Sequence, residues 1–182
     1  MTKTASYGTN DGIEVMRKAG RNLGNNNHAI DVCPSSNTNI ITVSPTLDTS
    51  QYVTGDLLAN PTEIPLALDD VRMTGILHSV AVLDKSDQAI AFDILIFDQT
   101  ITTGTLNNAF SPSDADMANC LGAINVPAAG FFDCANSQLN FIGNIGMVVK
   151  STTTSLYFVL VSRGTATYAA NGIQIKFGFL SD

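Results

Sequence analysis

Residues 75–97 read GILHSVAVLDKSDQAIAFDILIF. Two apolar runs, Gly75–Leu83 and Ala89–Phe97, flank the polar connector Asp84-Lys85-Ser86-Asp87-Gln88. Short runs of Ile, Val, Leu and Phe bounded by turn residues read as strands, and a connector of this length and polarity predicts a hairpin. Both faces of the first run are apolar. Ile76, Val80 and Val82 fall on one side, and Leu77, Ala81 and Leu83 on the other. A strand buried on both sides is central in its sheet, or its outer face meets another chain.

The same pattern continues outward from this pair. Upstream, Ile40, Ile41 and Val43 predict a first strand closed by Ser44-Pro45, Tyr52–Leu58 a second, and Glu63–Leu68 a third between Pro61 and Asp69-Asp70. Downstream lie Leu121–Val126, Leu139–Ile142, Ile145–Val149, Ser155–Val161 and Gly172–Leu180. The last alternates most cleanly, with Ile173, Ile175, Phe177 and Phe179 inward and Gln174, Lys176 and Gly178 outward. Ser111–Asn119 predicts one short helical turn. Ser111 is its expected N-cap, Pro112 its first residue, and Asp114 and Asp116 face the positive end of the dipole. Nine or ten short strands, no long amphipathic helix and no fixed-period repeat predict an all-β chain. The expected architecture is a jelly-roll-like β-sandwich over residues 39–182.

Residues 1–38 differ in composition. They are rich in Gly, Asn and Ser, as in NLGNNNHAIDVCPSSNTN at 22–39. Such a segment buries little apolar area to offset its ordering entropy. It is expected to be an extended N-terminal arm that orders on a partner.

Composition limits the function. Charged residues make up 14% of the chain, against about 25% for an average protein. The exterior must therefore be built largely from Ser, Thr, Asn, Gly and Ala, which suits contact with copies or neighbours. The net charge of -7 argues against nucleic acid as a ligand, since phosphate neutralisation needs clustered cations. Arg17, Lys18 and Arg21 form the only local basic run, read first as a solvated part of the arm and otherwise as a contact for an acidic surface. No apolar run is long enough to span a membrane. The opening MTKTASYGTNDG has no apolar stretch of the secretory kind.

Little in the chain points to catalysis or to a cofactor. His28 and His78 are the only histidines, and His78 sits among apolar strand residues as a core histidine would. Cys33, Cys120 and Cys134 lack metal-ligand spacing and basic neighbours. Cys120 and Cys134 flank a short segment and could pair, but nothing points to an oxidising compartment, so buried free thiols are expected. The pairs Asp69-Asp70, Asp84 with Asp87, and Asp114 with Asp116 fall at turns and at a helix start. Capping explains them without a paired-carboxylate or calcium site. Asp93 interrupts AIAFDILIF, and is either solvent-facing or ion-paired with Arg72 or Lys85. Gly55 is expected to permit a sharp bend, with Asp56 bonding to the backbone amides that the bend frees. Asn107-Asn108 suit left-handed turn geometry.

Four segments carry a family resemblance: Tyr52-Val53-Thr54-Gly55-Asp56-Leu57-Leu58; Val71-Arg72-Met73-Thr74-Gly75-Ile76 with the run that follows it; Asp93-Ile94-Leu95-Ile96-Phe97; and Leu106-Asn107-Asn108-Ala109-Phe110 through Asp116. In this order they resemble small virion structural proteins of tailed phages, over about Tyr52 to Ile124. The resemblance implies a capsid decoration or cement protein without catalytic activity. With the lack of a secretory stretch and the charge-poor exterior, the expectation is assembly in the host cytoplasm, self-association (a trimer is favoured) and contact with the major capsid protein or other virion subunits. Tyr52, Gly55, Asp56, Arg72, Asp93 and the Arg17, Lys18, Arg21 run are the structural and interface candidates. The competing expectation is a host-attachment or carbohydrate-binding module of a head or tail fibre. The shortage of aromatic residues, with no Trp, counts against it.

Overall fold

In the computed structural model, residues 37–181 are described. Arg17, Lys18, Arg21, His28, Cys33 and nearly all of the expected arm lie outside the described residues. Ten strands follow in chain order: β1 (Asn37–Val43), β2 (Leu57–Ile64), β3 (Thr74–Asp84), β4 (Phe92–Phe97), β5 (Cys120–Val126), β6 (Phe132–Asp133), β7 (Gln138–Ile142), β8 (Met147–Lys150), β9 (Leu156–Ser162) and β10 (Ile173–Ser181). One α-helical turn, α1 (Asp114–Met117), occurs among the described residues and precedes β5.

The strands form two antiparallel sheets. One has the order β1-β10-β3-β7-β6, with β8 also paired to β3; the other is β2-β9-β4-β5. The chain changes sheet after most strands, which makes the sandwich a jelly roll as expected. Its core lies between the sheets. Leu77, Val80, Val82, Ile175, Phe177 and Phe179 of the first sheet meet Phe92, Ile94, Ile96, Phe158 and Leu160 of the second. The rings of Phe158 and Phe177, 5.1 Å apart, join the two layers. The alternation predicted for Gly172–Leu180 holds in β10, where Ile173, Ile175, Phe177 and Phe179 are fully buried.

Four expectations are corrected. The 75–97 pair is not a hairpin, because β3 and β4 belong to different sheets. Asp84, fully buried at the end of β3, accepts the backbone N–H of Ser86 (2.8 Å), Gln88 (2.8 Å) and Ala89 (2.9 Å). These bonds wind the connector into an arch that carries the chain across the sandwich. The expected strands Tyr52–Leu58 and Glu63–Leu68 are replaced by a turn and one strand, β2, which runs through Pro61. That proline is tolerated because β2 is an edge strand whose register with β9 shifts between Ala59 and Thr62. The N-cap of α1 is Ser113 rather than Ser111. Ser113 and Asp116 form a reciprocal capping box, which a serine two residues earlier could not reach. Finally, strict alternation along β3 fails. Gly178 pairs with Ser79 but Phe179 with Leu77, so His78 is bulged. The extra residue turns Ile76 outward while Val80 and Val82 stay in the core.

Candidate assembly surface

Each sheet has one face in the core, and their other faces differ. On the four-stranded sheet, Leu95 and Phe97 of β4 and Val159 and Val161 of β9 point away from the core. They are nevertheless buried, because the connection between β4 and β5 folds back over them. Ile101, Leu106, Phe110 and Met117 of that connection complete a second apolar cluster with Leu57. Backbone bonds hold the cover in place: Leu57 N–H to the Asn108 carbonyl (2.8 Å), Asn107 N–H to Leu57 (3.0 Å) and Phe110 N–H to Gly55 (3.0 Å). The apolar outer positions of β4 are thus satisfied within the chain.

The six-stranded sheet has no such cover among the described residues. Phe132 is 71% exposed, Phe141 67% and Val148 75%; Leu139 and Ile76 are exposed to lesser degrees. Register places these side chains on one surface. Phe132 faces Leu139, Leu139 faces Leu83, Phe141 faces Ala81, and Val148 faces Ile76. The Phe141 ring lies against Gly143, where even a methyl group would meet Cε1 at 3.0 Å. The stripe therefore continues from β7 toward β8. Among the outward positions of β1, β10, β3, β7 and β8, the charged residues are Lys150 and Lys176, and none is a carboxylate. Between residues 37 and 181 the chain has twelve carboxylates and five cations, so this face departs sharply from the rest.

The predicted residues fall elsewhere. Tyr52, Gly55 and Asp56 are not part of this face; they form a corner in which Tyr52 and Asp56 are buried. Tyr52 is fully buried, its hydroxyl accepting the Asp48 N–H (2.5 Å) and donating to the Leu58 carbonyl (3.3 Å). Burial pushes its phenol up to about 12. Its ring meets Tyr168 edge-on at 6.4 Å. Gly55 adopts φ +95°, a left-handed conformation. Its N–H donates to the Ser162 carbonyl (2.8 Å), while Asp56 accepts the Val53 N–H (2.7 Å). The expected bend and its carboxylate partner are both present. The two resembling motifs also meet here. Asp56 bridges Ala109, and the Asn107 amide donates to Asp48 (3.3 Å). Of the Asn107-Asn108 pair, Asn107 has the expected left-handed φ (+58°) and Asn108 does not.

Asp93 has a different partner from those expected. Arg163 donates to it at 2.6 Å and the Asn125 amide at 2.9 Å. Arg163 follows β9, the neighbour of β4, whereas Arg72 and Lys85 are solvent-exposed on other segments. Cys120 and Cys134 are free thiols. They are not both buried as expected: Cys134 is exposed beside the two-residue strand β6, and Cys120 is half-buried, its thiol pushed up by burial. No group of three or more His, Cys, Asp or Glu side chains that could hold a metal ion occurs among the described residues. No described helix is long and apolar enough to cross a membrane.

Phe132, Phe141 and Val148 are not distinguished in the sequence from other apolar strand residues. A signal was present. From Ala118 to Ser162 the only charged residues are Asp133 and Lys150. A stretch this poor in charge cannot give every outward strand position a solvated side chain.

No protein-family model matches the sequence, and no curated protein does. Among solved structures, the chain is similar to one of tomato aspermy virus, with 11% identity, a TM-score of 0.38, and coverage of 84% of this chain and 81% of that one. It is also similar to one of Desmodium yellow mottle tymovirus, with 13% identity, a TM-score of 0.28 and coverage of 80% and 84%. A third is VP2 of the infectious bursal disease virus subviral particle, with 15% identity, a TM-score of 0.29, and coverage of 84% of this chain and 36% of that one. Likenesses this distant do not carry a function to this chain.

Proposed function

We propose that this chain is a structural protein of a virus particle and acts by binding, not by turnover. One observation carries the reading: the apolar outer face of the six-stranded sheet has no cover among the described residues, while the equivalent face of the other sheet is closed by the chain's own 98–119 connection. An exposed apolar surface of this kind marks an interaction site. The low charge content supports the same reading.

Within that reading, the resemblance over Tyr52 to Ile124 favours a decoration or cement protein of a tailed-phage capsid. Its partners are the major capsid protein or other virion subunits, and its own copies, with a trimer as the favoured state. It is assembled in the host cytoplasm and ends in the virion. The residues that precede β1 act as an arm that orders on a neighbouring subunit, with Arg17, Lys18 and Arg21 as its contact for an acidic surface. The Tyr52, Gly55, Asp56 corner and the Asp93–Arg163 pair hold the sandwich in register rather than touching a ligand.

Quantitative mass spectrometry of purified particles tests the reading. The protein is expected at a fixed copy number per particle, and particles stripped of it should disrupt at lower temperature. Its absence from washed particles would remove the proposal. Specific glycan binding by the isolated protein would favour the host-attachment alternative, for which the two exposed phenyl rings would be the platform.

A further inference from the structure

We infer that the outer face of the six-stranded sheet, which carries no carboxylate among the described residues, is a two-fold contact with a second copy of this chain. The inference rests on the proposed structural role and specifies one of its interfaces. Taking about 200 Å² for a phenylalanine, Phe132 and Phe141 present roughly 130–140 Å² each. With Val148, Leu139 and Ile76, the stripe offers on the order of 500 Å², at the upper end for an apolar patch on a monomer. A standard interface buries about 800 Å² per partner. The stripe alone therefore supplies more than half of one side. Ile40, also exposed on this face, and the Thr and Gln positions of β1 and β10 provide the rim.

Charge makes this face the place where two copies of the chain can meet, and its apolar stripe gives them the area to do so. Two copies of a chain with net charge -7 repel one another at most orientations. Away from this face, residues 37–181 carry twelve carboxylates and only three cations. The surface without carboxylates is where two copies meet at the lowest electrostatic cost. An apolar stripe also complements itself without a matching charge pattern, which is what an isologous contact requires. Lys176 lies two strands from Phe141. A two-fold axis near Phe141 therefore leaves the two Lys176 side chains about 20 Å apart, given strand spacings near 4.8 Å and well beyond the screening length.

The contact is two-fold, so it yields two chains alone, or six where a trimer forms through other surfaces. The whole chain is measured by light scattering after size exclusion, beside Phe141→Asp, Val148→Asp and the off-face control Val71→Asp. All three positions are highly exposed, and circular dichroism and melting verify that each variant folds. The wild-type mass is expected to be an even multiple of 19.2 kDa. Phe141→Asp and Val148→Asp should halve it and weaken association by about 30-fold or more, as loss of a central aromatic or apolar anchor does. Val71→Asp should leave it unchanged. A wild-type mass of one or three chains, or an even mass that survives both face substitutions, would overturn the inference. If wild-type chains do not pair, but Phe141→Asp alone is lost from particles, the face binds a foreign subunit and the inference is likewise wrong. The proposed virion role stands in each of these cases, since it is decided by the presence of the wild-type chain in particles.

Discussion

Replacing Asp84 by alanine is the substitution expected to damage the fold most for its size. The carboxylate is fully buried and accepts three backbone N–H groups at 2.8–2.9 Å. Each bond to a charged group is worth about 1.5–3 kcal/mol net. The donors lie in a partly exposed connector, where water replaces some of what is lost. Asp84→Ala should therefore cost about 3–4 kcal/mol in total. For a domain of this size, that lowers the melting temperature by roughly 6–16 °C. Asp84→Asn keeps the shape but turns one acceptor into a donor facing an N–H, and should lose about half as much. Asp87→Ala is the control. Asp87 belongs to the same connector but is exposed and accepts only the Gln138 amide (2.7 Å), so it should cost under about 1 kcal/mol. Urea unfolding with a shared slope gives the three values. A loss below about 1 kcal/mol for Asp84→Ala would show that the arch does not depend on its carboxylate, and would refute the account of why β3 and β4 part.

Further outcomes follow from the corner and the surface. Tyr52→Phe removes a buried hydroxyl with two backbone partners and should cost about 1–2 kcal/mol in urea unfolding. Gly55→Ala meets no atom within 4 Å, but its left-handed φ should still cost about 1–2 kcal/mol. Asp93→Ala breaks an ion pair exposed on the Arg163 side and should change stability by less than about 1 kcal/mol, an effect that shrinks in high salt. Burial raises the folded-state pKa of Tyr52 to about 12, above the unfolded value near 10. Its contribution is therefore full below about pH 10 and is lost as pH rises through 12. Ultraviolet titration of the tyrosinate should show Tyr52 and Tyr168 ionising late. At the acid end, the Ser50 N–H lowers Asp48, the Arg72 N–H lowers Asp69 and the Ser113 hydroxyl lowers Asp116. The stability they add is present above the unfolded value near 4 and falls as pH drops through their lower folded values, which melts across acid pH would follow.

The strands could be read from sequence wherever one face is buried and the alternation is unbroken. Ile173 to Phe179 shows this most clearly, because every second side chain has the same fate. The reading failed where a single residue changes the rule. A bulge at His78 swaps the faces of β3, and no residue type announces it. Asp84-Lys85-Ser86-Asp87-Gln88 suits a hairpin and an arch equally well. Only the partners of β3 and β4, supplied by β10 and β9 far along the chain, decide between them. Pro61 looked like a strand boundary because a central strand would exclude it, whereas β2 lies at an edge. The Tyr52-Gly55-Asp56 corner was legible in its parts, since glycine and aspartate have specific turn chemistry. Its pairing with Ala109 was not, and neither was Arg163 as the partner of Asp93, since both join segments more than fifty residues apart. The exposed stripe was missed for a related reason. Apolar strand residues look alike in sequence whether the chain covers them, as with Leu95 and Phe97, or leaves them bare, as with Phe141 and Val148.

Cryo-electron microscopy of purified virus particles bears most directly on the central claim that the chain is a passive part of a shell. The jelly roll should appear as ordered density at repeated positions, with its outer six-stranded face against another protein surface. Particles that lack this density while the chain accumulates free and monomeric in infected cells would contradict the account.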